Sequence, residues 1–338
     1  MPPSAARPKP AGPTSAEASA GKPAPIDSLA GDVQYYLTLT PRQLPSRYFY
    51  DPLGSALFEA ICELPWYRIT RVERALLARH GREILAHADP LSLLVELGPG
   101  SGDKLAALVS AGGAHAHRPT IHLVDVSAAA LDLATRTIAA LDAGLAVVPH
   151  QATYESGLIE AMAARPPGGR ALALFLGSNI GNFDPPGADE FLIGLRASLA
   201  AGDTLLIGTD LVKPERELLL AYDDPLGVTA AFNRNLLVRI NRELGADFDV
   251  SAFGHRAVWN AADSRVEMHL VAARAQRVRI PGAALDVAFA AGETIWTESS
   301  YKYRPGQVVE MLARAGFRRV EQWVDERDGF ALTLVAAG

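Results

Sequence analysis

The strongest constraint on the fold is an apolar stretch that ends in closely spaced glycines. The segment Leu91–Val95 has the pattern of a buried parallel strand, Glu96 follows it, and Gly98–Gly102 contains three glycines. From Leu105 onward, apolar residues recur at helical spacing. The glycines therefore occupy a strand-to-helix turn, where the lack of a Cβ lets a ligand approach the backbone.

The glycine spacing indicates the kind of ligand. It is G-x-G-x-G rather than the G-x-G-x-x-G of dinucleotide-binding loops, which favours a nucleoside cofactor without a pyrophosphate. S-adenosylmethionine is the commonest such cofactor. Asp125 ends the next predicted strand, close to the roughly 20 residues expected for an acceptor of ribose hydroxyls. Asp125 could instead cap the alanine-rich helix that follows, and we favour the ribose role.

The rest of the chain alternates predicted strands and helices and then changes pattern. Between 91 and 212 this alternation predicts a parallel sheet with right-handed crossovers and the cofactor at the carboxyl ends of its strands. After 212, two helices and alternating strands break the pattern, and an α/β pattern returns near the chain end. The expected strands are 91–97, 120–125, 145–149, 171–176, 203–209, 266–270, 285–289, 294–301, 318–323 and 330–336, and the expected helices include 71–86, 128–141, 186–200, 214–222, 228–240 and 305–315.

These patterns predict an α/β protein with two domains. Residues 71–212 and 301–338 would form a Rossmann-like domain around the parallel sheet. Residues 27–70 and 213–300 would form an α+β substrate-binding domain. Residues 1–26 are rich in Pro, Ala, Ser and Gly, which is typical of a disordered tail.

Composition excludes several other classes of protein. A net charge of -6 gives no electrostatic reason to expect a nucleic acid or membrane partner. No apolar run approaches the roughly 18 residues of a membrane span. The single cysteine, Cys62, excludes an internal disulfide framework, and the histidines lack metal-ligand spacing. We therefore expect a cytoplasmic protein that acts on a small molecule without a metal, with a monomer as the default state.

Several motifs, taken together and in order, resemble the histidine-specific S-adenosylmethionine-dependent methyltransferases. The resemblance extends from about residue 27 to 337 and implies that the Rossmann-like domain is a class I methyltransferase domain. It implies three successive Nα-methylations of L-histidine to hercynine, the first step of ergothioneine biosynthesis. The motifs are Tyr48–Asp51, Gly54–Phe58, Leu64–Tyr67, Glu96–Gly98, Gly177–Asn182, Tyr222–Asp224, Gly227–Asn233 and Thr297–Lys302.

The same resemblance implies roles for individual residues, none of which is an obvious general base. Asn182 would bind the amino and carboxylate end of histidine, Tyr222 the carboxylate, and Glu298 with Ser300 the imidazole. Gly177 and Phe58 would line the methyl-transfer region. The implied substrate-binding residues are Tyr50, Tyr67, Asn182, Tyr222, Met268, Glu298 and Ser300, and the implied cofactor-binding residues are Gly98, Gly100, Lys104, Asp125, Thr153 and Tyr154.

Some of these assignments have simpler alternatives. Without the resemblance, Glu298 would be a solvent-facing strand acid and Met268 an ordinary core residue. Thr153 stands where the family often has an acidic residue that reads adenine, so we expect either a weaker adenine contact or a different path of this loop. Two other functions remain open at this point: methylation of another amino acid or biogenic amine, and a nucleotide-binding oxidoreductase, which the glycine spacing disfavours.

Overall fold

The computed structural model describes residues 28–112, 118–142 and 144–338. The predicted tail, 1–26, lies outside them. Ten α-helices and thirteen strands make up this part of the chain. In chain order they are α1 Leu29–Tyr36, β1 Arg42–Gln43, α2 Pro52–Glu63, α3 Ile69–His87, β2 Leu91–Leu97, α4 Asp103–Gly112, β3 Thr120–Asp125, α5 Ala128–Ala139, β4 Val147–Gln151, α6 Tyr154–Ala163, β5 Arg170–Phe175, α7 Pro185–Ser198, β6 Thr204–Asp210, α8 Glu215–Tyr222, α9 Val228–Leu244, β7 Phe253–Asn260, β8 Arg265–Ala272, β9 Gln276–Ile280, β10 Leu285–Phe289, β11 Thr294–Tyr301, α10 Pro305–Arg314, β12 Phe317–Asp325 and β13 Phe330–Ala337.

A seven-stranded sheet forms the centre of the molecule, in the order β12-β13-β6-β5-β2-β3-β4. The strands β2 to β6 are parallel to their neighbours. β13 runs antiparallel to both β6 and β12, so the last two strands extend the sheet at one edge. The predicted α/β class, with a parallel sheet extended by the C-terminal strands, is confirmed.

Helices cover both faces of this sheet because its strands are apolar on both sides. Leu94 packs with α3, α4 and α5 on one face, whereas Leu93 and Val95 pack with α6, α7 and α10 on the other. This is the doubly wound arrangement of Rossmann-like folds. It requires the near-continuous apolar runs from which the strands were predicted.

A second sheet, of four strands, follows the first along the chain and includes one strand from the N-terminal part. Its order is β1-β11-β8-β7, and a separate hairpin pairs β9 with β10. The predicted strands near 266–270, 285–289 and 294–301 are confirmed, and Val266, Met268 and Leu270 are buried. The sequence patterns gave no prediction of β1, β7, β9, α1 or α2. The division of the chain into two domains remains a prediction.

The two sheets meet where β6 and β11 end. Leu211, just after β6, forms a parallel bridge with Tyr303, just after β11. The Tyr303 amide donates to the Asp210 carbonyl at 3.1 Å, and the Val212 amide donates to the Tyr303 carbonyl at 2.9 Å. These hydrogen bonds therefore hold the ends of β6 and β11 side by side. Among the described residues, no helix is long and apolar enough to cross a bilayer.

Glycine at 157 allows α6 to pack closely on β3. A Cβ at Gly157 would lie 2.2 Å from Val124 Cγ1. We expect Gly157→Ala to lower the free energy of unfolding by about 1–3 kcal/mol because it overpacks this contact.

Gly194 in α7 is the matched control, since a Cβ there meets nothing within 4 Å. Gly194→Ala should raise the free energy of unfolding by roughly 0.5–1 kcal/mol through helix propensity. Urea unfolding of both variants measures the difference. A Gly157→Ala protein as stable as the Gly194→Ala protein would contradict this packing.

Candidate active site

One cavity brings together residues that are far apart in the sequence. It is lined by all seven residues predicted to bind substrate and by the two predicted to surround methyl transfer. Ile61, Ser178, Asn179, Ala221, Thr229 and Phe232 complete the lining. The predicted residues among the lining are Tyr50, Phe58, Tyr67, Gly177, Asn182, Tyr222, Met268, Glu298 and Ser300.

Aromatic rings form one wall of this cavity. Phe58 lies 5.7 Å from Tyr50 and 6.3 Å from Tyr67, measured between ring centroids, and Tyr67 lies 6.3 Å from Tyr222. Burial raises the pKa of both Tyr50 and Tyr67 well above that of a free tyrosine, so both are neutral hydrogen-bonding groups. Tyr50, Phe58 and Tyr67 thus belong to the core packing and also form a wall of the site.

Strand β11 carries the acid and the hydroxyl predicted to read an imidazole. A β-bulge between Trp296 and Glu298 places Glu298 opposite Met268 of β8. Glu298 and Ser300, two residues apart, both line the cavity. Burial raises the pKa of Glu298 to about 7, and the charge of Lys302 opposes that rise. Met268 is buried and also lines the cavity, so it combines a core role with a wall position.

The loop after β5 forms the cavity wall on the side of the glycine loop, Gly98–Gly102. Gly177 has a φ of 78° and Ser178 one of 58°, and a Cβ at Gly177 would lie 2.7 Å from Lys104 Nζ. The Gly177 amide donates to both oxygens of the Glu73 carboxylate, at 2.9 and 2.8 Å. The positive φ favours glycine at 177, and a side chain there would also displace the Lys104 ammonium.

Glu73 was not predicted as a site residue. It is fully buried on α3, and Lys104 Nζ lies 3.5 Å from its Oε2. Burial raises the pKa of Glu73, while Lys104 and the Gly177 amide oppose that rise. A Cβ at Gly208 would lie 1.8 Å from Glu73 Oε1, so glycine at 208 makes room for it. The available signal was an acid between Val72 and Leu76 on an apolar helix face.

The glycine loop forms the predicted strand-to-helix turn, between β2 and α4. Gly98, Gly100 and Gly102 have φ values of 74°, 55° and 81°. A Cβ at Gly98 would lie 3.0 Å from Tyr154 Oη, whereas the nearest atom to one at Gly100 is 3.9 Å away. Positive φ values at alternate residues of a loop expose backbone amides to a ligand.

Asp125 ends β3 next to this loop but is not the cap of α5. The cap is Ser127, whose hydroxyl accepts from the Ala130 amide at 3.3 Å. Asp125 Oδ1 accepts from the Ser127 amide at 2.8 Å. Burial raises the pKa of Asp125. The capping alternative is therefore wrong, and the ribose role remains a prediction.

Thr153 and Tyr154 begin α6, and each has a structural contact of its own. Thr153 is the exposed N-cap, and its Oγ1 lies 2.9 Å from Ser156 Oγ. The Tyr154 ring packs 5.3 Å from Phe175 and 6.0 Å from Phe191. Their contact with adenine remains a prediction.

Glu96, just before the glycine loop, is a buried acid that suits a cationic cofactor. Its side chain is fully buried, neither carboxylate oxygen has a hydrogen-bond partner among the described residues, and burial raises its pKa to about 8. A buried carboxylate without a partner is costly unless a donor or a cation meets it. S-adenosylmethionine carries both an ammonium group and a sulfonium, so the residues fit it. No group of three or more His, Cys, Asp or Glu in the described ranges could hold a metal ion.

Comparison with known proteins decides the family. Residues 29–337 match the family model described as "Histidine-specific methyltransferase, SAM-dependent". The chain belongs to this family. It is therefore an S-adenosylmethionine-dependent methyltransferase, and the oxidoreductase alternative is wrong.

Individual relatives agree with this family assignment. The chain is 45% identical over 309 residues to the histidine N-alpha-methyltransferase of Mycolicibacterium smegmatis, covering 91% of this chain and 94% of that protein. It is 44% identical to the protein of the same name from Mycobacterium tuberculosis, covering 91% and 95%. An L-tryptophan methyltransferase from Psilocybe serbica is 30% identical over 88% of each chain.

Titration of Glu298 should make stability depend on pH. Its pKa is about 7 in the folded protein and roughly 4.3 in an unfolded chain. The folded state therefore holds the extra proton between these values, and this contribution to stability is lost as pH rises through 7. Glu298→Gln removes the titration. From pH 5 to pH 8, we expect the variant to gain roughly 2 kcal/mol relative to the unaltered enzyme, after allowance for partial exposure.

Urea unfolding at the two pH values measures this gain. Glu310→Gln, at an exposed position on α10, is the control and should show the same difference from the unaltered enzyme at both. A Glu298→Gln difference that does not change with pH would show that Glu298 is not perturbed in the folded protein.

Proposed function

We propose that this enzyme transfers three methyl groups in succession to the α-amine of L-histidine, giving the trimethylated betaine hercynine for ergothioneine biosynthesis. The observation that carries the proposal is the position of Glu298 and Ser300 on one face of β11, inside the cavity that the Gly177–Asn182 loop also lines. A carboxylate and a hydroxyl can pair with the two ring nitrogens of an imidazole. The mycobacterial relatives named for histidine methylation support the same acceptor.

The other end of the acceptor would lie at the opposite part of the cavity. Asn182 and Tyr222 offer neutral hydrogen-bonding groups for the amino and carboxylate end, and Tyr67 lies beside Tyr222. The cofactor-binding residues in this proposal remain Gly98, Gly100, Lys104, Asp125, Thr153 and Tyr154. Gly177 lines the cavity and lies beside Lys104, which is one of the predicted cofactor-binding residues. An amine bound at this end of the cavity would therefore be close to the methyl donor.

Catalysis would rest on position and on the protonation state of the amine. When bound, S-adenosylmethionine supplies a methyl group activated by its sulfonium. The α-amine would need a free lone pair to take this methyl group, with S-adenosylhomocysteine as the leaving group, so it would bind in its neutral form after losing its proton to solvent. The side chains would hold the neutral amine in line and exclude water with the aromatic wall. Because Asn182 and Tyr222 are neutral, they would hold the amine only weakly, which suits an amine that gains methyl groups.

Mass spectrometry of the purified enzyme with S-adenosylmethionine and L-histidine tests the acceptor. We expect mono-, di- and trimethylated histidine in time order, with the trimethylated form as the end product. Histamine, which lacks the carboxylate, is the matched control and should react at least about tenfold more slowly because Asn182 and Tyr222 lose a charged partner.

Other outcomes would change the proposal. Turnover of L-tryptophan without turnover of L-histidine would assign the acceptor to another amino acid, and preferential turnover of histamine would assign it to a biogenic amine. The proposal also includes a monomeric cytoplasmic enzyme, and the net charge of -6 gives no electrostatic reason to add a nucleic acid or membrane partner.

A further inference from the structure

His255 of β7 is not part of the cavity lining, but it holds the end of helix α8, which is. Its Nε2 lies 2.7 Å from the carbonyl oxygen of Tyr222, the last residue of α8, and its side chain is 1% exposed. In a longer helix this carbonyl would accept from the Leu226 amide, but that amide donates to Asp224 Oδ1 at 3.0 Å. His255 therefore supplies the hydrogen bond that the Tyr222 carbonyl lacks at the helix end.

The hydrogen bonds of His255 have only one possible direction. A carbonyl oxygen only accepts, so Nε2 of His255 must carry the proton. Nδ1 lies 2.9 Å from Asn233 Nδ2, and the same amide nitrogen lies 3.3 Å from the His269 carbonyl, which also only accepts. The NH2 group of Asn233 therefore faces both partners, and the unprotonated Nδ1 accepts from it. Burial lowers the pKa of His255, which favours this neutral imidazole.

Tyr222 is thus held at its main chain by His255 and at its hydroxyl by Lys302. Lys302 Nζ lies 2.8 Å from Tyr222 Oη, and because an ammonium can only donate, the phenol oxygen accepts from it. The Ser300 hydroxyl, 2.8 Å from the same oxygen, can donate or accept, and a carboxylate is a stronger acceptor than a hydroxyl. The phenolic proton of Tyr222 is therefore available to a substrate carboxylate.

Helix geometry alone does not fix the position of Tyr222. Asp223, the next residue, has a φ of −142° and a ψ of 70°, so the helix ends at this point. We propose that His255 is a positioning residue that holds the Tyr222 main chain, so that the Tyr222 hydroxyl meets the carboxylate of the substrate. Asn233 would fix the orientation of the His255 ring. The proposal rests on the histidine-methylating function proposed above, in which Tyr222 binds this carboxylate.

Two neutral amide side chains separate the two contacts of His255. In His255→Gln, the longer side chain reaches the position of Nε2 and can still donate to the Tyr222 carbonyl. In His255→Asn, the shorter side chain reaches only the position of Nδ1, so it keeps the contact with Asn233 and loses that carbonyl. Steady-state kinetics with L-histidine, and with histamine as a competing ligand, measure the effect of each variant.

We expect His255→Asn to raise the KM for L-histidine at least about fivefold, because Tyr222 no longer holds the carboxylate in place. The kcat and the inhibition constant of histamine, which lacks the carboxylate, should stay within about twofold, as should the affinity for S-adenosylhomocysteine. His255→Gln should keep the KM within about twofold of the unaltered enzyme. A merely structural role would raise the histamine constant in the same proportion as the KM for L-histidine.

Three results would overturn the proposal: an unchanged KM in His255→Asn, equal KM values in the two variants, or equal losses of L-histidine and histamine in His255→Asn. Failure of the unaltered enzyme to methylate L-histidine would instead refute the proposed function.

If His255→Asn does not fold, Asn233→Leu replaces it, because it removes the donor that orients the ring and leaves the imidazole in place. This variant should raise the KM for L-histidine about threefold and keep the histamine constant within about twofold. An unchanged KM, or an equal rise in both constants, would overturn the proposal.

Discussion

The buried ion pair between Asp210 and Lys302 determines how the two parts of the site meet. Asp210 ends β6 of the seven-stranded sheet, and Lys302 follows β11 of the four-stranded sheet. Their side chains are almost inaccessible, so the loss of Asp210 would leave the Lys302 ammonium buried without its ion-pair partner, at a cost of several kcal/mol. The Asp210 amide also donates to Ser178 Oγ at 2.9 Å. One residue therefore connects the strand that carries Glu298 and Ser300 with the loop that carries Gly177 and Asn182.

A second buried acid positions the other side of the same loop. Glu73 binds the Gly177 amide and lies beside Lys104, next to the glycine loop. The Gly177–Asn182 loop is thus held by Glu73 from α3 and by Asp210 from β6. Apolar packing forms the sheets, but these directional polar contacts fix the loop between them. A binding site needs its groups held to within about 0.5 Å, which takes supporting hydrogen bonds of this kind as well as packing.

The fold was largely predictable from the sequence because its strands are long apolar runs and its glycine loop has a distinctive spacing. β2 and β3 have the predicted bounds, and the other strands of the parallel sheet differ by at most two residues at an end. The two-residue β1 could not be predicted, since it exists only by pairing with the distant β11. The bulge before Glu298 also depends on β8. The roles of Glu73, Asp210 and Lys302 were not predicted, because a buried charge is explained only by a partner far away in the chain.

The central claim is that separate groups bind the methyl donor and the methyl acceptor. Asp125, in the parallel sheet, would bind the donor, and Glu298, in the antiparallel sheet, would bind the acceptor. Calorimetric titration of S-adenosylhomocysteine into the enzyme, followed by L-histidine into the saturated complex, tests it directly. Glu298→Ala should weaken histidine binding at least about tenfold and leave S-adenosylhomocysteine binding unchanged, and Asp125→Ala should do the reverse. If either substitution weakened both ligands equally, or if Glu298→Ala left histidine binding unchanged, this division of the site would be wrong.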